Sequence, residues 1–429
     1  MEQPAVEVVN NGWVFSNETA VDVVSGGDDA FIENNGAIDG DFNAVRFDDE
    51  VQGGVVLNDV DGLITSDSRG VDIQGDDIVV VNDGIIETDG TARNGVVYTN
   101  VTADNIEIIN GPTGVIVGET GAGISAELSA DGSTLDIDNA GVILGSGQEA
   151  AGSAAAGDGI RLERTRVDGS LANPSTGTFN GTITNSGVID SESAQGTTGG
   201  IRTVNGVNFQ GTIENEADGS ISGVQNGLYF GTGDHTDGVA NNDGVISSDS
   251  RALNIDGSGL EVNNTGEIIG TGDQRNGTVY ADATAQDFVL NNDGVIDAGG
   301  GNQGAGFSAE LDEAGNDFDI NNSGIIAGRG DAGAGDALAG DGIRLERTRV
   351  DGSLANPSTG TFTGTINNSG AITSDGANGT VAGVRTVNGV NFQGTINNEE
   401  DGVIDGVQNG LYFGTGDHTG GVANNAGTI

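Results

Sequence analysis

Apolar and polar residues alternate along most of the chain, in short runs that each follow a corner containing Asn and Gly. The clearest copy is INNSGII at 320–326, and close relatives are VNDGII at 81–86 and LNNDGVI at 290–296. With looser versions included, the corner glycines are Gly12, Gly36, Gly62, Gly84, Gly114, Gly141, Gly187, Gly219, Gly244, Gly266, Gly294, Gly324, Gly370, Gly402 and Gly427. The second residue after this glycine is Ile in every copy but the first, which has Val14, whereas the residue between them varies freely. That period of two predicts a strand buried on one face.

The corner itself predicts a turn, because Asn and Gly both tolerate left-handed backbone angles. The shortest spacing between corners occurs twice, from Gly62 to Gly84 and from Gly244 to Gly266, and the second contains the three alternating runs GVISS, RALNID and GLEVNN. We therefore predict an all-β, single-stranded parallel β-helix (β-solenoid) with about three short strands per coil. Coils would stack about 4.8 Å apart, with inward Ile and Val in ladders and corner Asn amides bonded to one another.

A longer repeat overlies the coils. Residues 157–179 reappear unchanged at 340–362, and VQNGLYFGTGDHT at 224–236 returns at 407–419. We predict one continuous solenoid over 1–429, in which 1–64 ends a partial repeat unit, 65–246 is one unit and 247–429 is the next. Since the chain begins and ends within the repeated pattern, we expect it to be a segment of something longer.

Two spacings between corners are much longer than the rest. The extra length falls in an Ala/Gly-rich stretch, 145–157, and a Pro-containing stretch, 165–178, with equivalents in the second copy. We predict that these are loops leaving the solenoid at its corners, where they would not disturb the ladders.

Composition favours a thin repetitive core over thick globular ones, since the chain has 78 Gly and only 35% apolar residues. Intrinsic disorder is the competing interpretation, given the formal charge of −51. The regular Ile and Val positions argue against disorder.

Charge also limits the partners. Against 65 acidic residues the chain has 14 arginines and no lysine, so nucleic acid and anionic membrane surfaces are poor candidates. The negative charge instead favours divalent cations or basic surfaces as partners, or an environment of high salt. The N-terminus lacks a signal-peptide pattern and no apolar run is long enough to span a bilayer, so we expect no membrane insertion. There is no cysteine for disulfides or thiolate metal sites.

The arginines are the main candidates for ligand binding. Six lie in two copies of IRLERTRV, as Arg161, Arg164, Arg166, Arg344, Arg347 and Arg349. Stacking would place Arg202 beside Arg161, and Arg385 beside Arg344. The functional interpretation is a pocket for anionic glycans, because guanidinium binds carboxylate and sulfate in bidentate fashion. The favoured structural alternative is ion pairing with Asp158, Glu163 and Asp168.

Metal and catalytic signals are weaker. The two histidines, His235 and His418, lie in identical GTGDHT loops without a second ligand or nucleophile, and we expect them to be solvated. Acidic clusters such as Asp28 with Asp29 could bind calcium through their carboxylate oxygens, so calcium is a candidate cofactor. We expect that the protein requires no cofactor, and the sequence does not identify which residues would bind a metal ion. The segment 39–50 has EF-hand-like spacing but lacks the required glycine and flanking helices.

The pairing of NNxGxI corners with GIxV strands resembles the passenger regions of bacterial autotransporters and related surface adhesins. That resemblance covers essentially the whole chain and implies a right-handed β-helix that is exported to the cell surface. It implies adhesion, self-association or matrix formation.

We therefore expect a non-enzymatic extracellular spacer, adhesin or filament subunit that self-associates and contacts cell-surface or matrix glycans. The alternatives are a polysaccharide-degrading β-helix enzyme, whose polygalacturonase signatures are missing here, and a surface-layer protein bridged by calcium.

Overall fold

The computed structural model describes residues 6–88, 95–148, 156–164, 176–272, 277–299, 304–330, 340–347, 359–376 and 381–429. All regular structure in these ranges is β, and none of it is a helix that could cross a membrane. The chain forms two compact units, unit 1 (Met1–Gly231) and unit 2 (Thr232–Ile429). The predicted limits at 64 and 246 describe sequence repeats and remain a prediction.

Unit 1 contains three long parallel sheets, and the chain visits them in the order A, B, C in every coil. Sheet A comprises β1 (Glu7–Asn10), β4 (Ala30–Asn34), β7 (Gln52–Asn58), β10 (Asp76–Asn82), β13 (Ile106–Asn110), β16 (Leu135–Asn139), β20 (Thr182–Asn185) and β24 (Thr212–Asn215). Sheet B comprises β2 (Trp13–Ser16), β5 (Ala37–Gly40), β8 (Leu63–Ser66), β11 (Ile85–Thr88), β14 (Val115–Gly118), β17 (Val142–Gly145), β21 (Val188–Ser191) and β25 (Ser220–Gly223). Sheet C comprises β3 (Thr19–Val23), β6 (Asn43–Phe47), β9 (Arg69–Ile73), β12 (Gly95–Thr99), β15 (Ala122–Leu128), β18 (Ile160–Arg164), β22 (Gly199–Thr203) and β26 (Asn226–Phe230).

Unit 2 repeats the arrangement. Its sheet A comprises β27 (Val239–Asn242), β30 (Glu261–Asn264), β33 (Phe288–Asn292), β36 (Phe318–Asn322), β40 (Thr365–Asn368), β44 (Thr395–Asn398) and β47 (Val422–Asn425). Sheet B comprises β28 (Val245–Ser248), β31 (Glu267–Gly270), β34 (Val295–Asp297), β37 (Ile325–Gly328), β41 (Ala371–Ser374) and β45 (Val403–Gly406). Sheet C comprises β29 (Arg251–Ile255), β32 (Gly277–Ala281), β35 (Ala305–Leu311), β38 (Ile343–Arg347), β42 (Ala382–Thr386) and β46 (Asn409–Phe413).

The predicted fold class is confirmed. Each coil contributes one strand to each of three parallel sheets, and the coils wind in a right-handed sense, as parallel crossover connections almost always do. The isoleucines two places after the corner glycines pair in register from coil to coil, for example Ile296 with Ile326 and Ile326 with Ile372. Those of the inner coils are at most 1% exposed, namely Ile38, Ile64, Ile86, Ile116, Ile143, Ile189, Ile221, Ile246, Ile268, Ile296, Ile326, Ile372 and Ile404. The core of each unit is therefore a stack of thin layers.

A buried amide ladder runs beside these isoleucines, as predicted. In unit 1 it consists of Asn10, Asn34, Asn58, Asn82, Asn110, Asn139, Asn185 and Asn215, and in unit 2 of Asn242, Asn264, Asn292, Asn322, Asn368, Asn398 and, exposed at its end, Asn425. Within each unit, the Nδ2 of one residue donates to the Oδ1 of the next at 2.7–2.8 Å. Neighbouring coils are thus joined by buried hydrogen bonds as well as by apolar contact.

The corner glycines correct one expectation. None of them has a positive φ, so the left-handed geometry expected for these turns is wrong. A Cβ on Gly324 would instead lie far inside contact distance of the carbonyl oxygen of Gly294, the corner glycine one coil earlier. Gly294 is crowded in the same way by Gly266. Glycine is required because corners stack directly on one another.

The long excursions are loops only in part. In each copy a two-stranded parallel sheet pairs β19 (Gly177–Phe179) with β23 (Val207–Phe209), and β39 (Gly360–Phe362) with β43 (Val390–Phe392). The predicted loop 165–178 therefore overlaps strand β19, and its residues 165–175 lie outside the described ranges. Stacked phenyl rings fix these small sheets, with centroids 5.3 Å apart for Phe179 and Phe209.

Candidate functional site

Sheet C of unit 1 carries a buried cluster of charged residues on its outward side. Arg161 of β18 and Arg202 of β22 are in register, as predicted from stacking. Arg202 donates from Nε and Nη2 to the two carboxylate oxygens of Asp158, both at 2.7 Å. Arg161 lies 3.6 Å from Asp158 and 3.5 Å from Glu163. Burial alone would lower the pKa of Arg202, but the Asp158 carboxylate outweighs it and raises that pKa. The cluster is an internal ion-pair network.

Unit 2 contains the equivalent cluster with longer distances. Arg344 and Arg385 are in register, and both face Asp341, at 4.0 and 3.3 Å respectively. Arg344 also lies 3.7 Å from Glu346. Burial raises the pKa of Asp341 to about 6, although Arg385 and Arg344 act to lower it. Identical residues therefore make a tighter carboxylate–guanidinium fork in unit 1 than in unit 2.

Aromatic residues continue this buried column along sheet C. Tyr98 pairs in register with Ser125, which pairs with Arg161. The guanidinium of Arg69 lies 3.8 Å from the ring centroid of Tyr98, and Arg251 lies at the same distance from Tyr280 in unit 2. Burial, reinforced by Glu127, raises the pKa of Tyr98 far above its usual range. Such contacts stabilise stacked coils and leave the phenol un-ionised.

The predicted ligand-binding arginines are placed as follows. Arg161 and Arg344 are fully buried, whereas Arg164 and Arg347 are half-buried at the ends of β18 and β38. Arg166 and Arg349 lie outside the described residues. The ion pairs of Arg161 with Asp158 and Glu163, predicted as the structural alternative, are present; Asp168 is likewise outside the described ranges. A glycan-binding role for the six arginines remains a prediction.

The expectation of solvated histidines is wrong for His235, which has no exposed surface. His418, in the last coil of unit 2, is half-buried. Its Nδ1 accepts a hydrogen bond from the backbone N–H of Phe392 at 3.2 Å, and its Nε2 donates to the carbonyl of Gly414 at 2.8 Å. These contacts give His418 a role in holding its turn.

Calcium binding remains a prediction. Among the described residues no three His, Cys, Asp or Glu side chains lie close enough together to hold a metal ion. Asp28 accepts from the N–H of Gln52, and Asp48 pairs with Arg46 at 2.8 Å. These acids are therefore engaged in local structure.

A surface feature that sequence reasoning did not single out lies on sheet A of unit 2. A second column of asparagines, half-buried except at its last member, runs outside the buried ladder: Asn241, Asn263, Asn291, Asn321, Asn367, Asn397 and Asn424. Successive amides are joined at 2.8–2.9 Å. We call these residues the outer amide column. Its signal in the sequence is the doubled Asn of NNDG and NNSG.

A groove of about 540 Å³ lies along this column. It is lined by Asn291, Asn321, Asn322 and Asn367, together with the turn residues Asp293, Ser323, Ser369 and Glu399. Ser323 donates to Asp293 across one coil step. Every lining side chain is polar and none is cationic, so the groove offers hydrogen-bond donors and acceptors without positive charge.

The fold and these surfaces place the chain among β-solenoid repeat proteins. Comparison with known protein families, curated proteins and solved structures finds no match.

Proposed function

We propose that this protein is a non-enzymatic bacterial surface or filament protein, in which the solenoid acts as a spacer and an adhesive scaffold. The observation that carries this proposal is the duplicated sequence 157–179 and 340–362, whose described residues fold alike in the two units. β18 and β38 have the same length and burial pattern, and the ring pairs Phe179–Phe209 and Phe362–Phe392 stack at 5.3 and 5.4 Å.

Duplication favours binding over catalysis. Two copies of one surface on one chain increase avidity through effective concentration, whereas a catalytic cleft gains little from being repeated. The resemblance to autotransporter passengers supports an extracellular location at the bacterial cell surface. Calcium ions that bridge the acidic flanks of neighbouring molecules would contribute to self-association, and the formal charge of −51 supports this.

A polysaccharide lyase or hydrolase is the alternative class. Such enzymes need accessible carboxylates or a basic residue beside the scissile bond. The arginine–carboxylate clusters around Asp158 and Asp341 are buried and paired internally, which favours a structural role for them. Turnover of pectin or alginate by the purified chain would overturn the non-enzymatic proposal.

Avidity is tested by changing the copy number. A chain lengthened by one further copy of residues 247–429 should dissociate from glycan-coated or cell-coated surfaces at least tenfold more slowly than the chain itself, in line with multivalent gains of about 10² or more. Surface plasmon resonance gives the dissociation rates. Equal rates, or no adhesion by either protein, would contradict the adhesive role.

A specific observation also favours lateral self-association of unit 1. One of the two outward columns of its sheet B contains no acid over seven coils and comprises Trp13, Ala37, Leu63, Ile85, Val115, Val142 and Val188. The other outward column, two residues further along each strand, carries Asp39, Glu87 and Asp190. Trp13 is 81% exposed and Ile85 41%. An acid-free apolar stripe is unusual in a chain with 65 acids, and the shared coil spacing makes it complementary to the same stripe of a second copy.

Sedimentation velocity tests this interface. Ile85→Asp should shift a dimer towards monomer, because it places a carboxylate in the middle of the stripe. Ile325→Asp is the matched control, since Ile325 occupies the same position in a coil of unit 2 and its column already contains Glu267. A monomeric wild-type chain at tens of micromolar would rule out this interface.

A further inference from the structure

We propose that the groove along the outer amide column of unit 2 binds an extended, uncharged polysaccharide. The proposal rests on the adhesive role argued above, and it names a ligand class and a further site on unit 2 that lies outside the duplicated segments 157–179 and 340–362. Four observations support it: the hydrogen-bonding capacity of the column, its periodicity, the charge of the groove, and the replacement of the column by other residues in unit 1.

The outer amides of Asn321 and Asn367 have hydrogen-bonding capacity to spare, whereas the second N–H of Asn291 already donates to Glu261 at 3.2 Å. A carboxamide has two N–H donors and two oxygen lone pairs. The ladder uses one of each, as when Asn321 donates to Asn291 and accepts from Asn367, both at 2.8 Å. The remaining donor and acceptor of Asn321 lie on a half-buried surface that lines the groove. Sugar hydroxyls, which both donate and accept, match such a surface.

Periodicity selects an extended polymer over a small molecule. The lining residues come from four successive coils, which at about 4.8 Å per step span about 15 Å. Each step presents the same pair of features, an amide from β33, β36 or β40 and a polar turn residue such as Asp293 or Ser323. One step is close to the length of one sugar residue in an extended chain, so successive sugars would meet equivalent groups.

Charge selects an uncharged polymer. The groove contains the carboxylates of Asp293 and Glu399 and no cationic side chain. Uronate or sulfate groups would be repelled, since like charges at contact distance are unfavourable. This differs from the ligand predicted for the arginines, which was an anionic glycan.

The two sequence repeats differ sharply at this column. Where unit 2 has Asn291, Asn321 and Asn367, the equivalent positions in unit 1 are Ile109, Asp138 and Thr184, on the matching strands β13, β16 and β20. The buried ladder is Asn in both. The coil therefore does not need Asn at the outer position, and the amide column is a property of the unit 2 surface.

Affinity per sugar should be weak. Hydroxyl–amide hydrogen bonds compete with water and contribute little net free energy each, and the groove has no aromatic platform. Binding should therefore be measurable with polymers and undetectable with monosaccharides.

The test uses the intact chain in native affinity gels containing hydroxyethylcellulose, mixed-linkage β-glucan, dextran or polygalacturonate. Wild type should be retarded by at least one of the three uncharged polymers and not by polygalacturonate. The variant Asn291→Ile/Asn321→Asp/Asn367→Thr, which installs residues that the same coil positions already carry in unit 1, should lose at least tenfold in affinity. Its circular dichroism and Tm should stay close to wild type.

The reciprocal variant, Ile109→Asn/Asp138→Asn/Thr184→Asn, should bind the same polymer more strongly than wild type. Unchanged binding after the unit 2 substitutions, or retardation by polygalacturonate alone, would overturn the proposal. If wild type binds none of the polymers yet still adheres to cells, the groove proposal fails and the adhesive function stands. If it binds neither polymers nor cells, both fail.

Discussion

Single residues in this fold are selected by the coil above and below as much as by their own backbone. The corner glycines show this most clearly, because their φ angles suit any residue while the space beside them does not. The sequence correctly predicts where the corner glycines lie, but the left-handed backbone angle that it suggests is not the reason why glycine is needed there. Close approach between stacked backbones is not visible in a turn motif taken alone.

Gly324→Ala should therefore destabilise unit 2 by about 3 kcal/mol, because the added methyl forces corners apart in a packed stack. Gly12→Ala is the matched control: it occupies the same corner in the first coil of unit 1, with nothing within 4 Å of an added Cβ. Urea unfolding of both variants gives the comparison. Equal losses would mean that backbone conformation, not stacking, selects the glycine.

Asp341 gives a pH-dependent prediction. Its pKa of about 6 in the folded chain lies above the unfolded value of about 3.9. The folded state then binds more protons between these values, so this group's contribution to stability is largest below pH ~4 and falls as pH rises to ~6.

Comparison of wild type with Asp341→Asn isolates this group from the other acids. The stability of wild type relative to the variant should decrease from pH 4 to pH 6 and then level off, as measured by urea unfolding across that range. A difference that stays constant, or grows with pH, would mean that Arg385 and Arg344 keep Asp341 ionised throughout.

At the scale of elements, the strands differ in how well sequence predicts them. Sheets A and B alternate buried and exposed positions, which is the period that the sequence displays. Strands of sheet C, such as β22 and β26, are buried on both sides. From the sequence alone, the outward Arg and Tyr residues of these strands would predict a face that is solvated or binds a ligand, whereas the structure buries them. Pairing of Arg202 with Asp158, 44 residues away, depends on stacking order and not on local pattern.

The buried amide ladder joins one element to the next. Asn322→Ala should cost about 2–4 kcal/mol, because it removes the buried hydrogen bonds that Asn322 makes to Asn368 and Ala371 and the one that it accepts from Asn292. Asn321→Ala, on the half-buried outer column of the same strand, should cost under 1 kcal/mol. Thermal unfolding compares them, and a reversed order would assign stability to the outer column.

For the whole molecule, the coil, its three strands, its interior isoleucines and the Asn ladder could all be predicted, since repetition within one chain separates inward from outward positions. The outer amide column could have been noticed from NNDG and NNSG. Its significance could not, because a groove depends on how side chains of four coils combine. The burial of His235 was likewise unpredictable from a Gly- and Asp-rich loop.

Net charge is also a property of the whole chain. With −51 formal charges, self-repulsion should weaken the folded state at low ionic strength. Tm should rise with NaCl, most steeply below about 0.15 M, where the Debye length exceeds about 8 Å. Calorimetry at several salt concentrations measures this. A Tm that is flat or falls with salt would show that acids within each coil are already compensated.

The separation between the buried ladder and the outer column has an evolutionary consequence. Because the inward side chains and the buried ladder hold the register of sheet A, the outward residues of that sheet can be exchanged coil by coil without refolding the chain. After a tandem duplication, one copy can acquire a new binding specificity by substitution of its outward residues while the other copy keeps the original specificity. Related proteins can therefore diverge in what they bind through changes on one face of one copy.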